Sequence, residues 1–209
     1  MPNILLLNLL WMGKNLILAF MPLILALILF RKKLWDKPIV IKIMLFVVTA
    51  IFYFFLPNAP YVLTDIIHLV RQIKDYRYFN LSDNTIIVFL IPQYLIFFFV
   101  GFSFYVIAFQ KLLHFLYDYR WNNILIWIIK IVNPFLMSIG ILLGRIYRFN
   151  SWDIVSNSEA IVRSTLEGFS NFYFFIFMVF NTIIIFLGFE ILSLFYKSLF
   201  KKLFNFEEE

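Results

Sequence analysis

The 209-residue sequence contains no cysteine, only two histidines and few charges; Asp, Glu, Lys and Arg make up 14% of it, against about 25% in an average soluble domain. The missing thiols exclude a disulfide scaffold, a thiol nucleophile and thiolate metal sites, and leave the redox compartment undetermined. A closed zinc site, which takes about four nitrogen or sulfur ligands, is a poor fit to so few histidines. The shortage of charge excludes a water-soluble globule. It also excludes a disordered chain, because 63% of the residues are hydrophobic and 22% aromatic, with a mean hydropathy of +0.90. Such a chain has too little polar surface to cover itself, so its solvent is largely lipid.

What the sequence does have is apolar runs, at about residues 9–30, 39–56, 86–109, 124–143 and 172–196. A bilayer-spanning helix needs about 20 apolar residues, which predicts an all-α, polytopic membrane bundle of about five helices in a single domain. The first run stops at Arg31, Lys32 and Lys33, which reads as a retained span and not as a signal-peptide cleavage site. Pro57-Asn58-Ala59-Pro60 predicts the end of the second run, since two prolines three apart cannot both continue a regular helix. Residues 61–70 form a short apolar segment carrying Asp65 and His68, and 71–85 read as a water-exposed loop. Pro92 predicts a kink in the third run. In the fourth, Gly140 and Gly144 make a G-x-x-x-G pattern that permits close helix approach. Residues 158–167 predict a short amphipathic helix. No repeat, linker or second domain is visible.

A net charge of +6 would suggest nucleic acid in a soluble protein. Here the basic residues lie between apolar runs, where they set topology and meet lipid headgroups. The partners expected are therefore the bilayer, its anionic headgroups or another membrane protein, and no nucleic acid. Five spans put the termini on opposite sides. Arg31, Lys32, Lys33, Lys37, Lys111, Arg120, Lys197, Lys201 and Lys202 then share one side, against Lys14, Arg71, Lys74, Arg77, Arg145, Arg148 and Arg163 on the other. The bias predicts a cytoplasmic C-terminus. In either orientation the second and fourth loops share a face, so Asn58, Tyr61, Asp65 and His68 can meet Arg145, Arg148, Asn150, Ser151, Trp152 and Asp153. His114 falls on the opposite face.

Asp65 and His68 are three apart, hence on one side of a helix. A carboxylate beside an imidazole suits a general base or a metal ligand, and Asp65, His68 and Asp153 are the catalytic candidates. The plainer role is an ion pair at headgroup depth. Arg145 and Arg148, also three apart, can grip a phosphate or carboxylate bidentately, with Asn58, Tyr61, Asn150 and Ser151 as further binding candidates. The plainer role is lipid anchoring or pairing with Asp65 or Asp153. A Ser151–His68–Asp triad lacks the G-x-S-x-G frame. Asn150 or Ser151 also suits the start of a short helix, with Asp153 in its first turn. Lys130 and Glu190 stand inside apolar runs, where charge is costly and by default functional, although each is near enough to an end to reach the interface. No metal or cofactor is expected. Because unpaired charge at headgroup depth loses several kcal/mol of hydration, Asp65 is expected to pair with Arg145 or Arg148, with His68 and Asp153 around them.

Two stretches resemble a known family when taken together. Residues 57–69, Pro57-Asn58-Ala59-Pro60-Tyr61-Val62-Leu63-Thr64-Asp65-Ile66-Ile67-His68-Leu69, are similar to the P-N-A-P-Y-x-x-T-D-x-x-H-L signature of a family of bacterial multi-spanning membrane proteins. Residues 144–153, Gly144-Arg145-Ile146-Tyr147-Arg148-Phe149-Asn150-Ser151-Trp152-Asp153, resemble that family's G-R-x-x-R-x-N-S-W-D signature. The family is a domain of unknown function. The resemblance implies a bacterial inner-membrane protein and brings no activity. The expectation is a non-enzymatic, lipid- or partner-binding membrane protein; the alternative is a membrane enzyme or carrier for a phosphate-bearing or lipid-linked substrate.

Overall fold

In the computed structural model, which describes residues 2–78 and 83–204, five helical segments are long and apolar enough to cross a membrane: Leu5–Leu29, Ile39–Tyr78, Asp83–Asp118, Asn123–Arg145 and Phe172–Lys197. Regular structure among the described residues is helical throughout. In chain order it comprises α1 (Pro2–Leu29), α2 (Lys32–Trp35), α3 (Ile39–Phe55), α4 (Asn58–Tyr61), a 3₁₀ turn (Val62–Asp65), α5 (Ile66–Tyr78), α6 (Asp83–Thr85), a π-helical stretch (Ile86–Leu90), α7 (Ile91–Asp118), α8 (Asn123–Arg145), α9 (Asp153–Ser156), α10 (Ser158–Ser170) and α11 (Phe172–Phe204). The side chains of Lys201 and Lys202, and the three final glutamates, lie outside the described residues.

The prolines at 57 and 60 tighten the second helix without ending it. Pro57 has no N–H, and the Ala59 N–H turns to the carbonyl of Leu56, three residues back. The Asn58 side-chain amide then takes the Phe55 carbonyl at 3.0 Å. With these groups satisfied the helix runs on through the 3₁₀ turn into α5. The segment 71–78, expected as loop, is therefore helical. α5 buries Leu69 and Tyr76 on one side, and Arg71, Lys74, Asp75 and Arg77 are exposed on the other. Ile39–Tyr78 is 40 residues long, about 60 Å if straight and twice the roughly 30 Å hydrocarbon core.

This long rod runs antiparallel to α1. Phe30 meets Phe52, Asn15 meets Asp65 and Asn8 meets Gln72, so the partner number rises as the α1 number falls. Pro92 also causes no break. The π-helical stretch ahead of it sends the Ile91 N–H five residues back to Ile86, and the proline occupies the first turn of α7, where no N–H is needed. α7 runs through the interior, with Tyr94, Tyr105 and Phe109 fully buried. α8 pairs with α11 through Thr182–Ser138 at 3.0 Å and Lys130–Glu190 at 2.7 Å.

The outer surface inverts the rule for soluble proteins. Phe46, Val40, Ile124, Ile191 and Leu194 on α3, α8 and α11 are each about two-thirds exposed. Helices that are apolar inside and outside are solvated by lipid. The architecture is that of a multi-pass membrane protein.

Candidate functional site

The two motifs meet face to face. A Cβ on Gly140 would lie 2.5 Å from the Pro57 ring, and one on Gly144 would lie 3.3 Å from the Tyr61 ring, so the glycines of α8 admit the Pro-Asn-Ala-Pro-Tyr turn. That approach brings the end of α8 to the end of the 3₁₀ turn. Arg145 Nη2 donates to Asp65 Oδ1 at 2.5 Å and to Thr64 Oγ1 at 2.5 Å, and Arg145 Nε donates to the same hydroxyl at 3.0 Å. The guanidinium stacks on Tyr61, 4.3 Å from the ring centroid. The Thr64 hydroxyl itself donates to the Tyr61 carbonyl at 2.7 Å. Asn15 of α1 donates to the second carboxylate oxygen at 3.4 Å. Asp65 is only 1% exposed, so both its oxygens are committed inside the bundle.

His68 sits at the rim of this clasp. Its Nε2 is 3.8 Å from Asp65 Oδ1 and 3.4 Å from Arg145 Nη1, its ring lies 5.7 Å from that of Trp11, and the side chain is 49% exposed. Asp65, Arg145 and His68 are thus brought together as the sequence suggested; Asp153 is not among their contacts. Asp153 Oδ2 accepts the Asn150 backbone N–H at 2.6 Å and opens α9. Its carboxylate is used by the local turn, and neither Asn150 nor Ser151 caps the helix. Among the described residues Asp65, His68 and Asp153 do not gather into a group that could hold a metal ion.

Arg148 also parts from Arg145. The helix ends at Arg145, and Arg148 takes a left-handed backbone at φ 61°, while the Phe149 N–H returns to the Leu143 carbonyl at 3.1 Å. This reversal turns the Asn150–Trp152 segment back over α8. Arg148, Asn150, Ser151 and Trp152 then line a cleft of about 590 Å³ together with Asn58 and Tyr61. α8 contributes Leu136, Met137, Ile139 and Leu143 to the lining, and Leu18 and Phe54 come from α1 and α3. Asn58 Nδ2 donates to Ser151 Oγ at 3.0 Å, so the partner of Ser151 is Asn58 and not His68. Among the described residues Arg148 makes no ion pair.

The chain matches the family model described as "Protein of unknown function (DUF1361)" over residues 14–202. It belongs to that family. The match takes in both signature stretches of this DUF1361 chain, the clasp and the cleft. No curated protein and no solved structure matches the chain.

Several side chains that shape the DUF1361 site carry little signal in the sequence. Asn15 is one polar residue in an apolar run, and Thr64 is a small hydroxyl beside Asp65. Asn8 and Gln72 exchange two hydrogen bonds at 2.8 Å, which tie α1 to α5 one helical stretch beyond the clasp. Asn133, buried within α8, accepts from the Tyr105 hydroxyl at 2.9 Å. Their common trait is a small uncharged polar group facing another helix, where it would be costly unpaired. That trait says a partner exists but not which one.

Proposed function

We propose that this chain is a multi-pass protein of the bacterial inner membrane, with a cytoplasmic C-terminus, that binds an amphipathic, phosphate-bearing lipid or lipid-linked molecule in the cleft between α1, α3 and α8 without chemically altering it. The observation that carries this reading is the two-part lining of the cleft. Its polar side chains come from the segment beyond α8 (Arg148, Asn150, Ser151) and from Asn15, Tyr53, Asn58 and Tyr61 opposite it, and Arg148 has no carboxylate partner among the described residues. A guanidinium is the side chain best matched to a phosphate. Ser151 and Asn58 line the same cleft, and among the described residues the Ser151 proton and Asn58 Oδ1 have no partner, which suits the hydroxyl or ester oxygens of a headgroup. The apolar lining from α8, α1 and α3 suits a hydrocarbon chain.

Binding is favoured over turnover by where the acid–base candidates lie. Asp65, His68 and Asp153 are all outside the cleft lining. Asp65 is neutralised by Arg145, and Asp153 is held by the Asn150 backbone. A membrane enzyme working on a phosphate-bearing substrate would want such a group at the ligand. The cytoplasmic C-terminus rests on the Lys and Arg bias, and puts the cleft on the outer-leaflet side.

The absence of native cysteine supplies the test. Ile154→Cys introduces a single thiol on the cleft lining in place of an apolar side chain. In nanodiscs, phosphatidylglycerol should slow its maleimide labelling several-fold relative to phosphatidylcholine of the same chains, and Arg148→Gln should remove the difference. Equal labelling rates in the two lipids with Arg148 present would overturn the reading.

A further inference from the structure

A second group of charges lies toward the other end of α8 and α11. Lys130 Nζ meets Glu190 at 2.7 Å and lies 5.1 Å from the Trp127 ring centroid and 5.8 Å from that of Phe189. A neutral ion pair would by itself account for two charges placed inside apolar runs. The surroundings hold more than the pair needs. A cavity of about 200 Å³ opens beside it, lined among others by Gln110, His114, Lys130, Ser193 and Lys197. Ser193 is 7% exposed, yet its hydroxyl has no hydrogen-bond partner among the described residues. Lys197 makes no ion pair among the described residues.

With Glu190 cancelling Lys130, Lys197 leaves the cavity net positive. All its polar groups but one can donate: two ammonium groups, an amide, an imidazole, an indole N–H and the hydroxyls of Tyr117 and Ser193, against the one carboxylate of Glu190. That inventory fits an oxyanion with several lone pairs. The same cavity is walled by Trp127 and Leu194, which are 54% and 66% exposed to the lipid side, so an acyl chain has a surface to follow outward. We infer that this cavity is a second ligand site, separate from the cleft, that holds the phosphate of an anionic phospholipid headgroup through Lys130, Lys197 and Ser193. Basic pockets between membrane helices take such headgroups on charge and donor geometry alone. This site does not rest on the cleft reading, because it shares no side chain with it.

Native mass spectrometry of the full chain, released from detergent after titration with a lipid, separates the two sites. With phosphatidylglycerol two bound lipids are expected, and with phosphatidylcholine of the same chains neither should be retained as well. Lys197→Gln combined with Ser193→Ala leaves the Lys130–Glu190 pair intact, so folding is preserved. It should weaken one of the two phosphatidylglycerol adducts by at least about tenfold, since two groups that donate to the charged phosphate are removed. Lys197→Arg should restore much of it. Arg148→Gln should affect only the other adduct. Unchanged phosphatidylglycerol retention in the double variant, or equal retention of the two lipids at the site it affects, would overturn the proposal. So would inorganic phosphate competing with phosphatidylglycerol at equal concentration, which would make the ligand a soluble anion. Loss of one adduct in Arg148→Gln with no change in the Lys197→Gln/Ser193→Ala variant would overturn this site and leave the cleft reading standing.

Discussion

The Asp65–Arg145 clasp makes a strong thermodynamic prediction. Arg145→Met removes the counter-ion of a carboxylate that is 1% exposed, and Asp65→Leu strands a guanidinium whose side chain is 16% exposed. Breaking a buried pair by removing one partner costs about 3–5 kcal/mol. For a chain of this size 1 kcal/mol moves Tm by about 2–4 °C, so each single variant should melt about 6–20 °C below the wild type. The double variant Asp65→Leu/Arg145→Met carries no stranded charge. Replacing both members of a buried pair by apolar groups is often neutral or better, although here Thr64 and Asn15 lose a partner, at about 1 kcal/mol each. It should therefore melt within about 10 °C of the wild type and above at least one single variant. The assay is a double-mutant cycle of thermal melts in one detergent, followed by circular dichroism. A double variant whose loss equals the sum of the two single losses would show that the residues do not stabilise each other, and would refute the clasp. A harmless Arg145→Met would refute it equally.

Four further outcomes follow from the contacts described. Gly140→Ala places a Cβ 2.5 Å from Pro57 and should cost about 1–3 kcal/mol, while Gly13→Ala, with nothing within 4 Å, should gain up to about 1 kcal/mol of helix propensity; thermal melts of the two should move in opposite directions. Arg148→Gly relieves a left-handed backbone and should leave stability unchanged or raise it by up to about 1 kcal/mol, yet abolish the lipid protection of the cleft thiol. Cysteines at Arg71 and Arg163 should react with an impermeant maleimide from the same side of the membrane, and one at His114 from the other. Asn15→Leu removes a donor to Asp65 and should cost about 1–3 kcal/mol in the wild type but little in the Asp65→Leu/Arg145→Met background.

The helices were legible because an apolar run of bilayer length has few other solutions. The meeting of the two motifs was legible through loop parity, which needs only the number of spans. The polar segment 71–78 was harder to read. Its charges fall at helical spacing around Leu69 and Tyr76, but polarity dominates a short window and reads as loop. Arg145 and Arg148 looked like a pair because three residues make one helical turn. The helix stops between them, and the left-handed Arg148 sends its side chain to the cleft. No glycine marks that reversal, so the residue type gives no warning. Asp153 was misplaced for a related reason: the nearest N–H, that of Asn150, claims a carboxylate before a distant arginine can.

The 3₁₀ turn at Val62–Asp65 has a consequence for winding phase. Each 3₁₀ residue advances the helix by about 120° where an α-helical residue advances it by about 100°, so four of them add about 80° of rotation. The inward line of α3 and α4 passes through Phe52, Leu56 and Ala59. Continued at α-helical pitch, it would reach Leu63, Ile66 and Val70. The inward line runs instead through Val62, Asp65 and Leu69, one position earlier each time, with Thr64 buried beside Asp65, and Ile66 and Val70 are about half exposed. A uniform helix of the same sequence would hide an isoleucine and turn the aspartate outward. The chain's buried carboxylate is therefore a product of torsion rather than of hydropathy, and a single-residue deletion anywhere in 58–64 would exchange it for its apolar neighbour without altering either side chain.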